Sequence, residues 1–257
     1  MKDISIGIIG GTGGMGRWLA DLLQKGGYQV IVLGRKTKMP LDELTSSCAV
    51  VVVSVPIAAT ADVIKQVGPL MPAKSLLMDL TSLKKEPVEL MLANSQAEVI
   101  GCHPLFGPNM ENPAGQNIVL CQARGNKWYD WLKKLWLANG LQVLETSPER
   151  HDAIMAIVQA LNHLNTITLG LALAETAIPL NEIKKYSTPI FQTKEAIVKK
   201  IFTESPLLYK DIIIRNPDVG KILDIYDKAL ADIRRAIQSR NSDEFKDLLE
   251  KTAKILF

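Results

Sequence analysis

The sequence predicts an α/β domain built on a mostly parallel sheet over residues 1–148, followed by an all-helical domain over residues 149–257. Three observations carry this reading. Residues 4–9 form an apolar run that ends in Gly10-Gly11-Thr12-Gly13-Gly14-Met15-Gly16, then give way to a helical pattern and a second apolar run. Residues 49–55 are an almost unbroken β-branched run, the mark of a parallel strand covered on both faces. After Ser147-Pro148-Glu149 no strand pattern appears, and helical periodicity runs to the end.

The elements follow in order. The helix after the glycine turn places Trp18, Leu19, Leu22 and Leu23 on one side and stops at Gly26-Gly27; residues 28–33 are the second strand. Further strands fall at residues 75–80, 98–101, 117–121 and 141–144, with a short helix at 60–67. An amphipathic helix at 127–138 presents Trp128, Leu132, Leu135 and Trp136 to the core and leaves Tyr129 and Lys133 towards the rim. Residues 224–238 put Ile225, Leu230, Ile233 and Ile237 on one face, and Asn241-Ser-Asp-Glu244 reads as a capping box opening the last helix.

Composition narrows the classes of function. A net charge of +3, with no basic run interleaved with aromatics, argues against nucleic acid as a partner. Cys48, Cys102 and Cys121 are odd in number and lack metal-ligand spacing, so free thiols in a reducing cytosol are expected, and no metal site. Met1-Lys2-Asp3 leaves no room for a signal peptide before the first strand, which again points to the cytoplasm. Residues 153–174 contain no Asp, Glu, Lys or Arg and are long enough to cross a bilayer. Gln159, Asn162, His163, Asn165, Thr166 and Thr168 interrupt that run, so a helix buried in a core or dimer is expected rather than a membrane span.

Strand, Gly11-x-Gly13-x-x-Gly16, helix and strand make a βαβ unit of the Rossmann dinucleotide-binding type. Gly11 is expected to permit the tight turn, Gly13 to let the backbone approach a pyrophosphate, and Gly16 to let the helix pack on the strand; Thr12 and Met15 share the turn. The second strand ends in Leu33-Gly34-Arg35-Lys36, with no acid before Asp42 to meet a free ribose hydroxyl. Gly34 clears space for a 2′-phosphate, Arg35 offers it a planar fork and Lys36 adds charge, so NADP is favoured over NAD. The plain alternative is a solvated basic loop.

Two loops at strand ends hold the candidate chemistry. Gly101-Cys-His-Pro-Leu-Phe-Gly-Pro108 puts His103 where an apolar run meets a proline, at the edge where an open α/β sheet binds ligands. Taken alone, that segment is better read as a histidine that merely ends a strand. Asp79-Leu-Thr-Ser-Leu-Lys84 ends another strand and projects Ser82 and Lys84 towards the same edge, with Asp79 supporting the loop. Cys102 adjoins His103, but neighbours on a strand point to opposite faces. Tyr129 and Lys133 match a Tyr-x-x-x-Lys spacing without the serine that would give it meaning. Helix-start polarity accounts for His151, beside Arg150 and Asp152, and His163 is either a satisfied core histidine or a wall of the site.

Together these segments resemble the prephenate/arogenate dehydrogenases of tyrosine biosynthesis. The resemblance rests on Gly10–Arg17, Val53-Ser-Val-Pro-Ile57, Asp79–Lys84 and Gly101–Pro108, and continues through Arg150-His-Asp152, Gln159-Ala-Leu-Asn-His163, Ser187-Thr-Pro-Ile190 and Leu208–Ile213, in the family's order. It implies oxidative decarboxylation of prephenate or arogenate with hydride transfer to the nicotinamide, by a homodimer joined through the helical domain. It assigns His103 as the catalytic histidine, which must be neutral to accept a hydrogen bond from the substrate's C4 hydroxyl, and Ser82 as the serine that helps hold it. Val55 and Pro56 fall on the loop passing the cofactor. The family's carboxylate-binding arginine falls where this chain has Lys200, leaving Arg215 or Lys210 as substitutes; Lys84, Asn117 and His163 complete the substrate-binding candidates. The neutral pair Gln116-Asn117 leans towards prephenate over arogenate. With no mutase segment before the first strand and no regulatory domain after Phe257, a stand-alone dehydrogenase is expected. A hydroxyacid dehydrogenase or imine reductase on the same plan would carry a lysine on the first helix of the second domain, and residues 151–175 have none. A non-enzymatic NADP-sensing module would not need His103 and Ser82.

Overall fold

The computed structural model describes residues 4–203 and 206–257; Met1-Lys2-Asp3, on which the reading of the N-terminus rests, lie outside them. Strands β1 (Ser5–Ile9), β2 (Gln29–Leu33), β3 (Val50–Val53), β4 (Leu76–Asp79), β5 (Glu98–Pro104), β6 (Asn117–Arg124) and β7 (Gln142–Glu145) form one sheet in the order β2-β1-β3-β4-β5-β6-β7. The strands from β1 to β5 are parallel, β6 runs antiparallel to β5, and β7 is parallel to β6. All four residues of β3 are buried, as its β-branched run requires.

Helices cover both faces. On one, α1 (Gly14–Lys25) and α5 (Lys127–Ala138) bury Leu19, Trp128, Leu132 and Trp136 against Ile6, Ile8, Val50, Val52 and Met78. On the other, α2 (Leu41–Ser47), α3 (Ile57–Val67) and α4 (Lys85–Asn94) bury Leu44, Ile64, Val88 and Met91 against Val51, Val53, Leu77 and Val99. Tyr129 was expected at the rim but is buried, because its hydroxyl finds Glu145 at the end of β7, where Lys133 also pairs.

Strand ends depart from the expected ones by up to about three residues, as hydrogen-bonded bounds usually do. One departure matters. β5 was expected to end at Gly101, yet it continues through Pro104, because β6 lies alongside and pairs His103 with Val119. Pro104, with no N–H to give, closes the strand. Phe106 then packs edge-on against Trp18 of α1 at 5.0 Å, pinning the loop after His103 to the helix after the glycine turn.

Past β7 every described residue is helix or connection. Ser147 caps α6 (Pro148–Met155), accepting from the Arg150 N–H, and a π-helical turn at Ala156–Leu161 carries the chain into α7 (Asn162–Glu175). After α7 come α8 (Leu180–Lys185), α9 (Pro189–Thr203), α10 (Pro206–Ile214), α11 (Val219–Gln238) and α12 (Ser242–Leu256). Asn241 caps α12 by accepting from the Glu244 N–H at 3.0 Å, as the expected capping box requires. By length and composition the run Pro148–Glu175 could cross a membrane. The burial expected of this run is not found within the single chain, where α7 buries none of its residues, but two of its polar positions have partners inside the chain: Gln159 reaches His103, and Asn165 accepts from the Tyr226 hydroxyl at 2.8 Å.

Candidate active site

The site lies at the carboxyl ends of β1, β3, β4 and β5, next to the switch point where the chain crosses from β2 over β1 to β3. The tight turn belongs to Gly10, one residue earlier than expected: its φ is +86°, and a Cβ there would stand 2.3 Å from the Ser54 carbonyl oxygen. Gly11 serves close packing instead, since a Cβ would meet Val32 at 2.7 Å. Gly16 fills its expected role, with no room between α1 and the Gly10 carbonyl oxygen, 2.5 Å from the position of a Cβ.

Gly13 is the N-cap of α1; no side chain caps this terminus and no acid sits in the first turn. The orphan N–H groups of that turn are therefore open to an anion, and the position a Cβ would take on Gly13 meets only the Gly10 carbonyl oxygen, at 3.2 Å. These features fit a dinucleotide pyrophosphate. At the end of β2, Arg35 and Lys36 are exposed on a turn closed by Thr37 N–H to the Gly34 carbonyl at 3.0 Å. Gly34 has a second reason to be glycine: a Cβ would stand 2.4 Å from the Thr12 hydroxyl.

A cavity of about 620 Å³ joins this turn to the helical domain. Its wall includes Gly13, Met15, Val55, Pro56, Ser82, His103, Gln159, His163 and Asp211. His103 is 3% exposed and heads a buried chain of hydrogen bonds. Its Nδ1 lies 2.9 Å from His151 Nε2, and His151 Nδ1 lies 2.7 Å from Asp152 Oδ1. Burial, with the neighbouring His151 and Lys84 adding to it, holds the His103 imidazole well below its ordinary value. Burial also lowers His151, against the opposing pull of Asp152.

Both rings are therefore neutral, and the tautomers follow. Asp152 only accepts, so His151 carries its proton on Nδ1 and leaves Nε2 bare; His103 donates Nδ1–H to it and leaves its own Nε2 bare. That bare nitrogen faces the cavity, with the Gln159 amide nitrogen 3.4 Å away and Gln159 Oε1 buried without a partner. Such a nitrogen accepts a proton from a hydroxyl.

The other expected residues divide. Ser82 lines the cavity but hydrogen-bonds neither imidazole, and His163 lines it with its ring edge-on to Tyr209 at 4.8 Å. Lys84 is placed elsewhere: fully buried, its ammonium pairs with Asp79 and donates to the Cys102 carbonyl at 2.8 Å, so it braces β4 against β5 rather than reaching the cavity. Asp79 also accepts from the Thr81 N–H at 2.9 Å, the loop-supporting role expected of it. Asn117 at the start of β6 and Lys200 on α9 are exposed and outside the cavity wall. Among the described residues that wall has no lysine or arginine. Cys102 points into the core, its thiol pushed up by burial, and takes no part. His151 is not a surface helix-start residue but is 1% exposed and sits against His103. The adjacency of two polar residues just inside a capped helix was the one signal that could have marked it.

Comparison with known proteins follows the same outline. The sequence matches the prephenate dehydrogenase nucleotide-binding domain over residues 20–145 and the prephenate dehydrogenase dimerization domain over residues 147–251. A probable arogenate/prephenate dehydrogenase of Methanocaldococcus jannaschii is 32% identical over 98% of this chain and 61% of its own length. The T-protein of Enterobacter agglomerans is 38% identical over 80% of this chain and 55% of its own. The chain thus spans little more than half the length of these relatives. In fold it is similar to the prephenate dehydrogenase of A. aeolicus, solved with hydroxyphenyl propionate and NAD+, with a TM-score of 0.79 at 20% identity over 98% of this chain and 97% of that one.

Proposed function

The chain belongs to the prephenate dehydrogenase family, and from that premise we propose that it oxidatively decarboxylates prephenate to 4-hydroxyphenylpyruvate, with NADP as cofactor and as a homodimer. The observation that carries this reading is the buried His103, tied through Nδ1 to His151 and lining a cavity that begins at the glycine turn.

When bound, the nicotinamide supplies the hydride acceptor for the hydrogen on substrate carbon C4. His103 Nε2 takes the proton of the C4 hydroxyl as that carbon is oxidised. Gln159 stands where its amide N–H can donate to the same oxygen, so the hydroxyl fits between a bare nitrogen and a donor. Loss of the ring carboxylate as carbon dioxide leaves its bonding pair to complete the aromatic ring, and His103 returns the proton to the phenolic oxygen. Ser82, Val55 and Pro56 shape the wall on the cofactor side, and Arg35 and Lys36 stand ready for a 2′-phosphate.

The M. jannaschii relative is named for both substrates, and one feature favours arogenate as a second reading. Asp211 puts the one carboxylate of the described cavity wall where an ammonium group could pair with it, although Lys210 and Arg215 already lie at 3.3 and 3.4 Å from its Oδ1. Absorbance of reduced cofactor, followed with prephenate and arogenate and with NADP and NAD, tests the whole reading. Reduction with prephenate and NADP is expected to be the fastest of the four, and no reduction in any pairing refutes it.

A further inference from the structure

Asp152 is 1% exposed and lies on the helical half of the chain, yet it serves the other half. Its Oδ1 accepts from the Lys84 N–H at 2.8 Å and its Oδ2 from the Lys85 N–H at 3.0 Å, the N–H groups of the N-cap and first residue of α4. No side chain within α4's own neighbourhood caps that terminus, so Asp152 does so from α6. The same Oδ1 receives His151 Nδ1–H, and the Asp152 carbonyl is held by the Asn216 amide at 2.9 Å.

We propose that His151 and Asp152 are positioning residues: the chain Asp152–His151–His103 fixes the tautomer of His103 that leaves Nε2 bare, and Asp152 ties that tautomer to the docking of α6 on α4. The proposal rests on the reading of His103 as proton acceptor. Its logic is one of acceptors and donors. If His103 moved its proton to Nε2, two bare nitrogens would face each other across the 2.9 Å contact, and two N–H groups would meet at Gln159. Only the Nδ1–H tautomer gives each contact from Asp152 to His103 one donor and one acceptor. When His103 takes the substrate's proton, its new charge is met through the neutral His151 ring by the Asp152 carboxylate, which accepts from three N–H groups.

The chain has three histidines, so nitrogen-15 spectra of histidine-labelled protein are sparse enough to assign with His103→Asn and His163→Gln. In the intact protein His103 is expected to show a protonated Nδ1 and a bare Nε2. In His151→Phe, which removes the acceptor, it is expected to shift towards the opposite tautomer. Asp152→Asn removes the charge but leaves an acceptor for α4. It is expected to lower kcat about 10- to 100-fold while the KM for prephenate and the Kd for NADP stay within about threefold. A folded His151→Phe protein that keeps the Nδ1–H form, or Asp152→Asn with unchanged kcat, overturns the proposal. If the unmodified protein oxidises neither prephenate nor arogenate, the functional reading fails, and the tautomer spectra decide the positioning role on their own.

Discussion

At the scale of single residues, burial decides what His103 can do. A histidine in water is half protonated near pH 6.5, but this one loses too much hydration on charging, so its neutral form persists at lower pH. The acid limb of kcat/KM is therefore expected well below pH 6.5, and a limb at or above 6.5 would contradict the geometry. Stability follows the same sign. The unfolded chain takes up protons at positions 103 and 151 as pH falls below 6.5 while the folded chain does not, so stability drops below that value and is unaffected above it. Each of the two contributes at most about 1.4 kcal/mol per pH unit, and thermal melts across pH 4–8 measure it, as an order-of-magnitude range. His103→Asn should cut kcat by about 10²- to 10⁴-fold with NADP affinity intact. Arg35→Ala should weaken NADP far more than NAD in fluorescence titration; equal weakening of both would remove the 2′-phosphate assignment.

At the scale of elements, the glycine turn makes a contrast that can be tested. Gly10→Ala must strain a φ of +86° and drive a methyl group onto the Ser54 carbonyl, so it should cost more than about 3 kcal/mol and abolish NADP binding. Gly115→Ala has a similar φ, +79°, but open space around it; it should cost about 1 kcal/mol and leave NADP affinity unchanged. Chemical denaturation and calorimetric titration separate the two.

The βαβ turn, the buried β3 run and the α5 stripe were all legible in the sequence, because each is a period or a punctuation mark within one element. The relay was not. His151 is 48 residues from His103, and no pattern inside α6 reports what β5 offers it across the fold. The π-helical turn that brings Gln159 to His103 reads in sequence as ordinary helix, since one extra residue in a turn leaves no trace in composition. Lys84 misled for a related reason. A lysine at a loop end looks available to a ligand until the buried Asp79 carboxylate that claims it is seen.

At the scale of the molecule, the helical domain leaves apolar faces exposed in the single chain. Ile225 and Ile237 of α11 are 65% and 61% exposed, and α7 buries none of its residues, although both helices carry long apolar side chains. A match to a dimerization domain over residues 147–251 makes a second copy the natural cover for those faces. Replacing Ile225 and Ile233 by glutamate should convert the protein to monomer at micromolar concentration in sedimentation velocity, while the nucleotide-binding domain keeps its affinity for NADP. A double variant that stays dimeric would place the interface elsewhere.

The two carboxylate oxygens of Asp152 give the boundary near residue 146 a hydrogen-bonded seam as well as an apolar one. That seam sets the terms on which evolution can recombine the halves. A hybrid that keeps this nucleotide-binding half and borrows a helical half from a relative inherits the hydrogen-bonded chain behind His103 only if the borrowed half brings both an imidazole and an acid to this junction. Parts exchanged without that pair would keep His103 but leave its tautomer unfixed, and slower turnover with dinucleotide affinity unchanged is the expected result.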